Sequence, residues 1–172
     1  QCMIERLLWK ERIRHAWKEA PIVWLSGVRR CGKTTLARSL ADAGKMLYVN
    51  CDLPVTEDRL RDPELFFQSC ERPIVIFDEV HRLSDPSRVL KIGADGFPKL
   101  KILATGSSTL AASRKFRDTL TGRKRMVHLL PVLWSELAAF SCKDVSRRLL
   151  RGGLPQALLA DGKQASFYRE WL

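Results

Sequence analysis

Glycine, glycine, lysine and a hydroxyl stand at set intervals in Gly27-Val28-Arg29-Arg30-Cys31-Gly32-Lys33-Thr34, which matches G-x-x-x-x-G-K-[ST] at every fixed position. Glycines let such a loop wrap so that successive backbone N–H groups converge on one polyphosphate. Lys33 then reaches the β- and γ-phosphates as a point charge, and the Thr34 hydroxyl is a ligand for Mg2+. A helix opening at Lys33 turns its positive end toward the same anion, with Thr35 in its first turn. Gly27, Val28, Arg29, Arg30, Cys31 and Gly32 are thus read as nucleotide-binding together with Lys33, Thr34 and Thr35. Cys31 contributes its backbone N–H, and its thiol, inside the loop, makes alkylation a way to block binding.

A second constellation follows the apolar run Ile74-Val75-Ile76-Phe77, which ends in Asp78-Glu79. In phosphoryl transfer a strand-end Asp helps to hold Mg2+ through its water shell, and a neighbouring carboxylate orients or deprotonates the attacking water. Asp78 takes the first role and Glu79 the second. Thr105-Gly106-Ser107-Ser108 ends a further run in small hydroxyl residues. Ser107 and Ser108 fit either a helix N-cap or a hydroxyl on the γ-phosphate or attacking water. Asn50 and Asp52 end another run, where turn chemistry is the favoured reading.

The elements that must position these residues are short apolar runs: Ile22–Leu25, Met46–Val49, Ile74–Phe77, Ile102–Ala104 and Met126–Leu130. Continuous runs of this length suit strands covered on both faces. An amphipathic helix is expected over 4–19, ended by Pro21, with others over 33–43, 63–69, 86–91 and 109–117. Alternation of strand and helix predicts an α/β fold with a parallel sheet and helices on both sides. After Pro131 the apolar period turns helical at Leu133, Trp134, Leu137, Ala138 and Phe140. Further helical stretches flank Gly152-Gly153, so residues 132–172 read as a helical appendage to a core of 1–131. The chain does not begin with Met and stops in mid-pattern, as a portion of a longer protein would.

Composition narrows the class. With 30 Lys+Arg against 19 Asp+Glu, the 172-residue chain carries a net charge of +11 and favours an anionic partner. Its basic clusters are at 29–30, 114–117, 123–125 and 147–151, without the interleaved aromatics of a single-strand binding platform. Nucleic acid is therefore an open partner, carried by charge alone. The longest unbroken apolar stretches are four residues, too short for a helical membrane span. Cys2, Cys31, Cys51, Cys70 and Cys142 form no CxxC pair, which fits reduced thiols and a cytoplasmic location. His15, His81 and His128 are too scattered for a metal site.

Taken together, GVRRCGKTTL (27–36), FDEVH (77–81), TGSS (105–108), LTGR (120–123), LPVLWSEL (130–137) and GGLP (152–155) resemble the AAA+-type P-loop ATPase domain of a large bacterial and archaeal group. Many members of that group carry a C-terminal domain of unknown function. The resemblance covers nearly the whole chain. It implies a five-stranded sheet in the order 5-1-4-3-2 followed by a helical lid, with ATP and Mg2+ as ligands. It also implies that Ser107 senses the γ-phosphate, that Asn50 restrains the catalytic Glu79, and that Arg123 serves a neighbouring subunit as an arginine finger. Self-association, or coupling to a C-terminal effector domain, follows from the same likeness. Asp78-Glu79-Val80-His81 also reads as the DExH box of helicases, although those need a second lobe. A nucleotide-gated binding module with little turnover is the alternative from another class. The Asn/Thr-Lys-x-Asp signature of guanine readers is absent, which favours ATP.

Overall fold

The computed structural model describes residues 4–40, 45–106, 110–111, 113–142 and 144–160. Five parallel strands form one sheet: β1 (Ile22–Gly27), β2 (Met46–Asn50), β3 (Ile74–Asp78), β4 (Lys101–Thr105) and β5 (Lys124–Leu129), in the order β2-β3-β4-β1-β5. That is the order 5-1-4-3-2 read from the other edge. Four of the five apolar runs of the sequence lie wholly in these strands, and the fifth, Met126–Leu130, runs one residue past the end of β5.

Because side chains alternate along a strand, each run feeds two cores. Ile22, Trp24, Val75, Phe77, Ile102 and Ala104 face one side, packed with Phe66 and Phe67 of α4 (Pro63–Gln68), Leu90 of α5 (Pro86–Gly96) and Phe116 of α6 (Arg114–Thr119). Val23, Leu25, Ile76, Leu103, Val127 and Leu129 face the other side. There they meet Trp9, Ile13 and Trp17 of α1 (Leu7–Glu19) and Leu36 and Ala37 of α2 (Lys33–Leu40). Ile22, Trp24 and Leu25 are fully buried, which locks β1 between β4 and β5 and fixes the direction in which the loop after it emerges.

The described helices can be set against the sequence reading one by one. A helix α3 (Pro54–Arg59) precedes α4, started by Pro54 and tied down by Thr56, whose hydroxyl donates to Asn50 O at 2.7 Å. Helix α5 runs on to Gly96 rather than stopping near 91. Of the helix expected over 33–43, residues 33–40 are helical and 41–44 lie outside the described residues. Over 133–140 the apolar period forms no α-helix, only a 3-10 turn at Trp134–Glu136 followed by turns. Glu136 is spent there on long-range contacts that hold the chain in that shape.

The appendage continues with α7 (Val145–Arg151) and α8 (Pro155–Leu159). Val132, Leu137, Phe140, Cys142 and Leu158 form a small core of their own, while Leu154 and Ala157 join the core behind the loop. Gly153 lets the two halves of this segment close. A Cβ there would overlap the Arg148 guanidinium, which donates to Val132 O at 3.0 Å, while the Val132 N–H donates to Gly153 O at 2.7 Å. Arg147 and Arg151 both donate to Leu158 O, so the basic cluster at 147–151 works on carbonyls inside the protein.

Candidate nucleotide site

β1 delivers Gly27 into a loop that ends where α2 begins. Gly27 has φ 149° and Gly32 φ 95°, with Arg30 between them at φ 62°. A Cβ on Gly27 would stand 2.5 Å from Leu129 O and 2.9 Å from Cys31 Sγ, so only glycine fits. Lys33 folds back over the loop and donates to Gly27 O (2.9 Å) and Val28 O (3.1 Å). Cys31 is fully buried, and its thiol is pushed up by that burial. The expectation that alkylation of Cys31 blocks binding is corrected by this placement, because the sulfur faces the core and stays a thiol.

Across from the loop, Asp78 at the end of β3 is 3% exposed, and both of its oxygens are held by hydroxyls. Thr105 Oγ1 donates to Oδ1 at 2.6 Å, and the Tyr48 hydroxyl donates to Oδ2 at 2.6 Å. Thr105 Oγ1 also accepts the Glu79 N–H at 3.0 Å, so one buried hydroxyl sets both acidic residues. Tyr48 stays a neutral donor: burial and the bond to Asp78 push its hydroxyl up to about 12, while the Arg38 guanidinium lies 4.9 Å over its ring. Glu79 adopts a left-handed backbone (φ 56°), a strained choice for this residue that turns the chain sharply out of β3. Its Oε2 lies 3.2 Å from His81 Nδ1, within ion-pair range but without an aligned hydrogen bond.

Gly27, Arg29, Lys33, Thr34, Asn50, Asp78 and Glu79 line one cavity of about 620 Å3, with Arg38, Tyr48 and His81 beside them. Volume does not single it out, since clefts of about 670 and 610 Å3 lie elsewhere on the surface. Convergence does: an anion-binding loop, a lysine, a hydroxyl and two carboxylates share one space. The Thr34 hydroxyl and the Asp78 carboxylate are hard oxygen donors facing that space, a donor set that fits Mg2+ with retained waters.

The other sequence candidates fall out as follows. Asn50 lines the cavity, but its Oδ1 accepts the Asp52 N–H at 3.1 Å, and it is His81 that approaches the Glu79 carboxylate, at 3.2 Å. Arg123 lies away from the cavity and grips Asp95 of α5 through Nε (2.6 Å) and Nη2 (3.0 Å). Ser107 lies outside the described residues. Tyr48 and Thr105 went unread as functional. The clue to Tyr48 was its place two residues before Asn50, which pairs with Asp78 in register.

Fold and site together define a P-loop nucleotide-binding domain. Residues 19–138 match the AAA domain family, and the chain belongs to it as an AAA+-type P-loop ATPase domain. It is 33% identical over 172 residues to the uncharacterized proteins Mb2031c of Mycobacterium bovis and Rv2008c of Mycobacterium tuberculosis. That match takes in 96% of this chain but 37% of each relative's length. Among solved structures it resembles the Walker-type ATPase PABY2304 of Pyrococcus abyssi (TM-score 0.63, 16% identity, 91% of this chain and 65% of that one). It also resembles the RuvB Holliday junction branch migration motor of Thermotoga maritima (0.57, 18%, 91% and 60%) and AMPPCP-bound DnaA from Aquifex aeolicus (0.58, 12%, 96% and 64%). At these identities the likeness concerns the fold. No described helix is long and apolar enough to cross a membrane.

Proposed function

We infer that this domain binds ATP with Mg2+ and hydrolyses it. The observation that carries this reading is Asp78, fixed at both oxygens by neutral hydroxyls and facing Lys33 and Thr34 across one cavity. A carboxylate held in this way keeps a fixed orientation toward the cavity. Gly27 to Gly32 would receive the phosphates on backbone N–H groups, and Lys33 would leave Gly27 O and Val28 O for the β- and γ-oxygens. Thr34 directly, and Asp78 through water, would hold Mg2+, which supplies charge neutralisation at the phosphates when bound. Glu79 would orient the attacking water and accept its proton, after its carboxylate swings from His81. Residues 132–172 would begin the lid, and nucleotide state would pass through it to a partner or to the remainder of a longer chain. Arg123 could act on a neighbouring subunit only after releasing Asp95.

A second reading, a nucleotide-gated switch with little turnover, draws on one observation: Glu79 rests against His81. Phosphate release across a protein-concentration series separates the two. In the hydrolase, Glu79→Gln binds ATP as tightly as wild type and loses turnover by about 100-fold or more, while Lys33→Ala loses binding. In the switch, Glu79→Gln changes neither. Turnover per chain that rises with concentration would point to completion by a second subunit.

A further inference from the structure

Behind the phosphate loop, away from the cavity lining, lies a charged residue that the proposed chemistry does not use. Arg6, 5% exposed, precedes α1 and sends its guanidinium across the back of the loop. Its Nε and Nη2 take Glu136 Oε1 and Oε2 at 2.9 and 2.6 Å, Nη2 reaches Leu130 O at 3.1 Å, and Nη1 donates to Cys31 O at 3.2 Å. One side chain therefore joins the N-terminal helix, the loop backbone and the segment leading into the appendage.

The bond to Cys31 O has a consequence for the anion. In a planar trans peptide the carbonyl and the following N–H point in opposite directions. Holding the Cys31 carbonyl toward Arg6 turns the Gly32 N–H away from it, and that N–H has no backbone acceptor among the described residues. Gly32, at φ 95°, is free to flip this peptide if nothing grips it. Glu136 fixes the grip. Its Oε2 also accepts the Leu133 N–H (2.9 Å) and the Trp9 indole N–H (3.4 Å), so it cannot follow Arg6 without moving the 130–136 segment. Pro155 of the appendage closes the same spot, with its Cγ 3.7 Å from where a Gly32 Cβ would stand.

We propose that Arg6 is a positioning residue for phosphate binding: it holds the Cys31–Gly32 peptide with its N–H toward the bound nucleotide, and Glu136 links that orientation to the base of the appendage. The proposal rests on the nucleotide-binding reading above. It explains why a cation is buried next to a loop that binds anions. The positive charge is neutralised by Glu136, and its use is directional.

The test is calorimetric titration of the wild-type chain and its variants with Mg·ATP and with Mg·ADP, at a temperature where each is folded by circular dichroism. Arg6→Met with Glu136→Gln removes the grip while keeping apolar bulk and the acceptor for Leu133, since buried ion pairs are often replaced without loss of fold. Both nucleotides should bind this variant about tenfold more weakly, as expected for loss of one oriented donor to a charged group. Exchange of the Gly32 amide, slowed by nucleotide in wild type, should lose that protection. Arg6→Lys, which keeps the charge but not the fork, should recover part of the affinity. A folded double variant with wild-type affinity and a protected Gly32 amide would overturn the proposal. A double variant that does not fold would also overturn it, because the pair would then be a condition of the fold rather than a device of the loop. Wild type that binds neither nucleotide would instead sink the reading of the site itself.

Discussion

Asp78, buried, and Glu136, partly buried, are both carboxylates near the phosphate loop, and they are held by opposite means. Asp78 receives two neutral hydroxyls, from Tyr48 and Thr105. Glu136 receives a guanidinium at 2.6 Å, two N–H groups, and little solvent, its side chain being 10% exposed. Hydroxyls fix a carboxylate's orientation and leave its charge uncompensated, so a cation can complete it. A guanidinium cancels the charge, so the group becomes a joint. On the proposed function, the way a carboxylate is solvated inside this protein divides ligand chemistry from architecture.

The largest expected effect breaks that division from both sides. Asp78→Asn keeps a shape that Tyr48 and Thr105 can still bond, so the melting temperature should move little. The Mg2+-dependent part of ATP affinity or turnover should fall by about 100-fold or more. Glu136→Gln should do the reverse. It leaves the Arg6 charge buried beside a neutral amide, with one acceptor oxygen in place of its anion, at a stability cost of about 3 kcal/mol, with the Mg2+ requirement unchanged. Thermal melts alongside Mg2+ titrations read both. If the two variants exchange these phenotypes, the distinction between the carboxylates is wrong.

How far the sequence reveals this depends on how local each feature is. The loop and Asp78-Glu79 were legible because their chemistry is written in consecutive residues, and the five strands because each is a short apolar run. The order of the sheet came from likeness, since spacing alone does not rank neighbours. Tyr48 and Thr105 were not legible as partners of Asp78, being 30 and 27 residues away and brought to it only by the β2-β3-β4 pairing. Arg6 and Glu136 are 130 residues apart, and nothing in either neighbourhood announces the other. The helical period over 133–140 misled for the same reason: Glu136 spends its carboxylate on α1 and on Leu133 rather than on a helix. The basic clusters left nucleic acid open on charge alone, and their internal partners could not be read from sequence: Arg148 serves Val132 O, Arg123 serves Asp95, and Arg125 serves Glu19.

A smaller effect sharpens the front half of the comparison. Tyr48→Phe removes one hydroxyl from Asp78 and keeps the ring under Arg38. A hydrogen bond to a charged group is worth about 1.5–3 kcal/mol, with the lower end expected beside an open cavity. The Mg2+ midpoint for ATP binding should therefore shift by roughly tenfold. Because the Tyr48 hydroxyl is pushed up to about 12, the difference between Tyr48 and Phe should be the same at pH 7 and pH 9. A difference that changes over that range would mean the phenol ionises there, and Asp78 would then have lost its neutral donor.

The smallest effect concerns the back half, and it turns on sign. Burial works to raise the Glu136 carboxyl, but the hydrogen bond and charge of Arg6 and the Leu133 N–H outweigh it, leaving the group below the ordinary carboxylate value. A carboxyl with a lower pKa folded than unfolded stabilises the protein above its unfolded pKa, near 4.3. That contribution is lost as the pH falls through the lower, folded value. The wild-type melting temperature should therefore stand above that of Glu136→Gln by a constant margin from about pH 7 to pH 5. Below about pH 4 the two curves should draw together, by a few degrees at most, as the wild-type carboxylate is protonated. Melts of both proteins from pH 7 down to the onset of acid unfolding measure that gap. A margin that stays fixed into acid would mean that Glu136 is no better solvated by Arg6 than by water, and the buried pair would not be the joint described above.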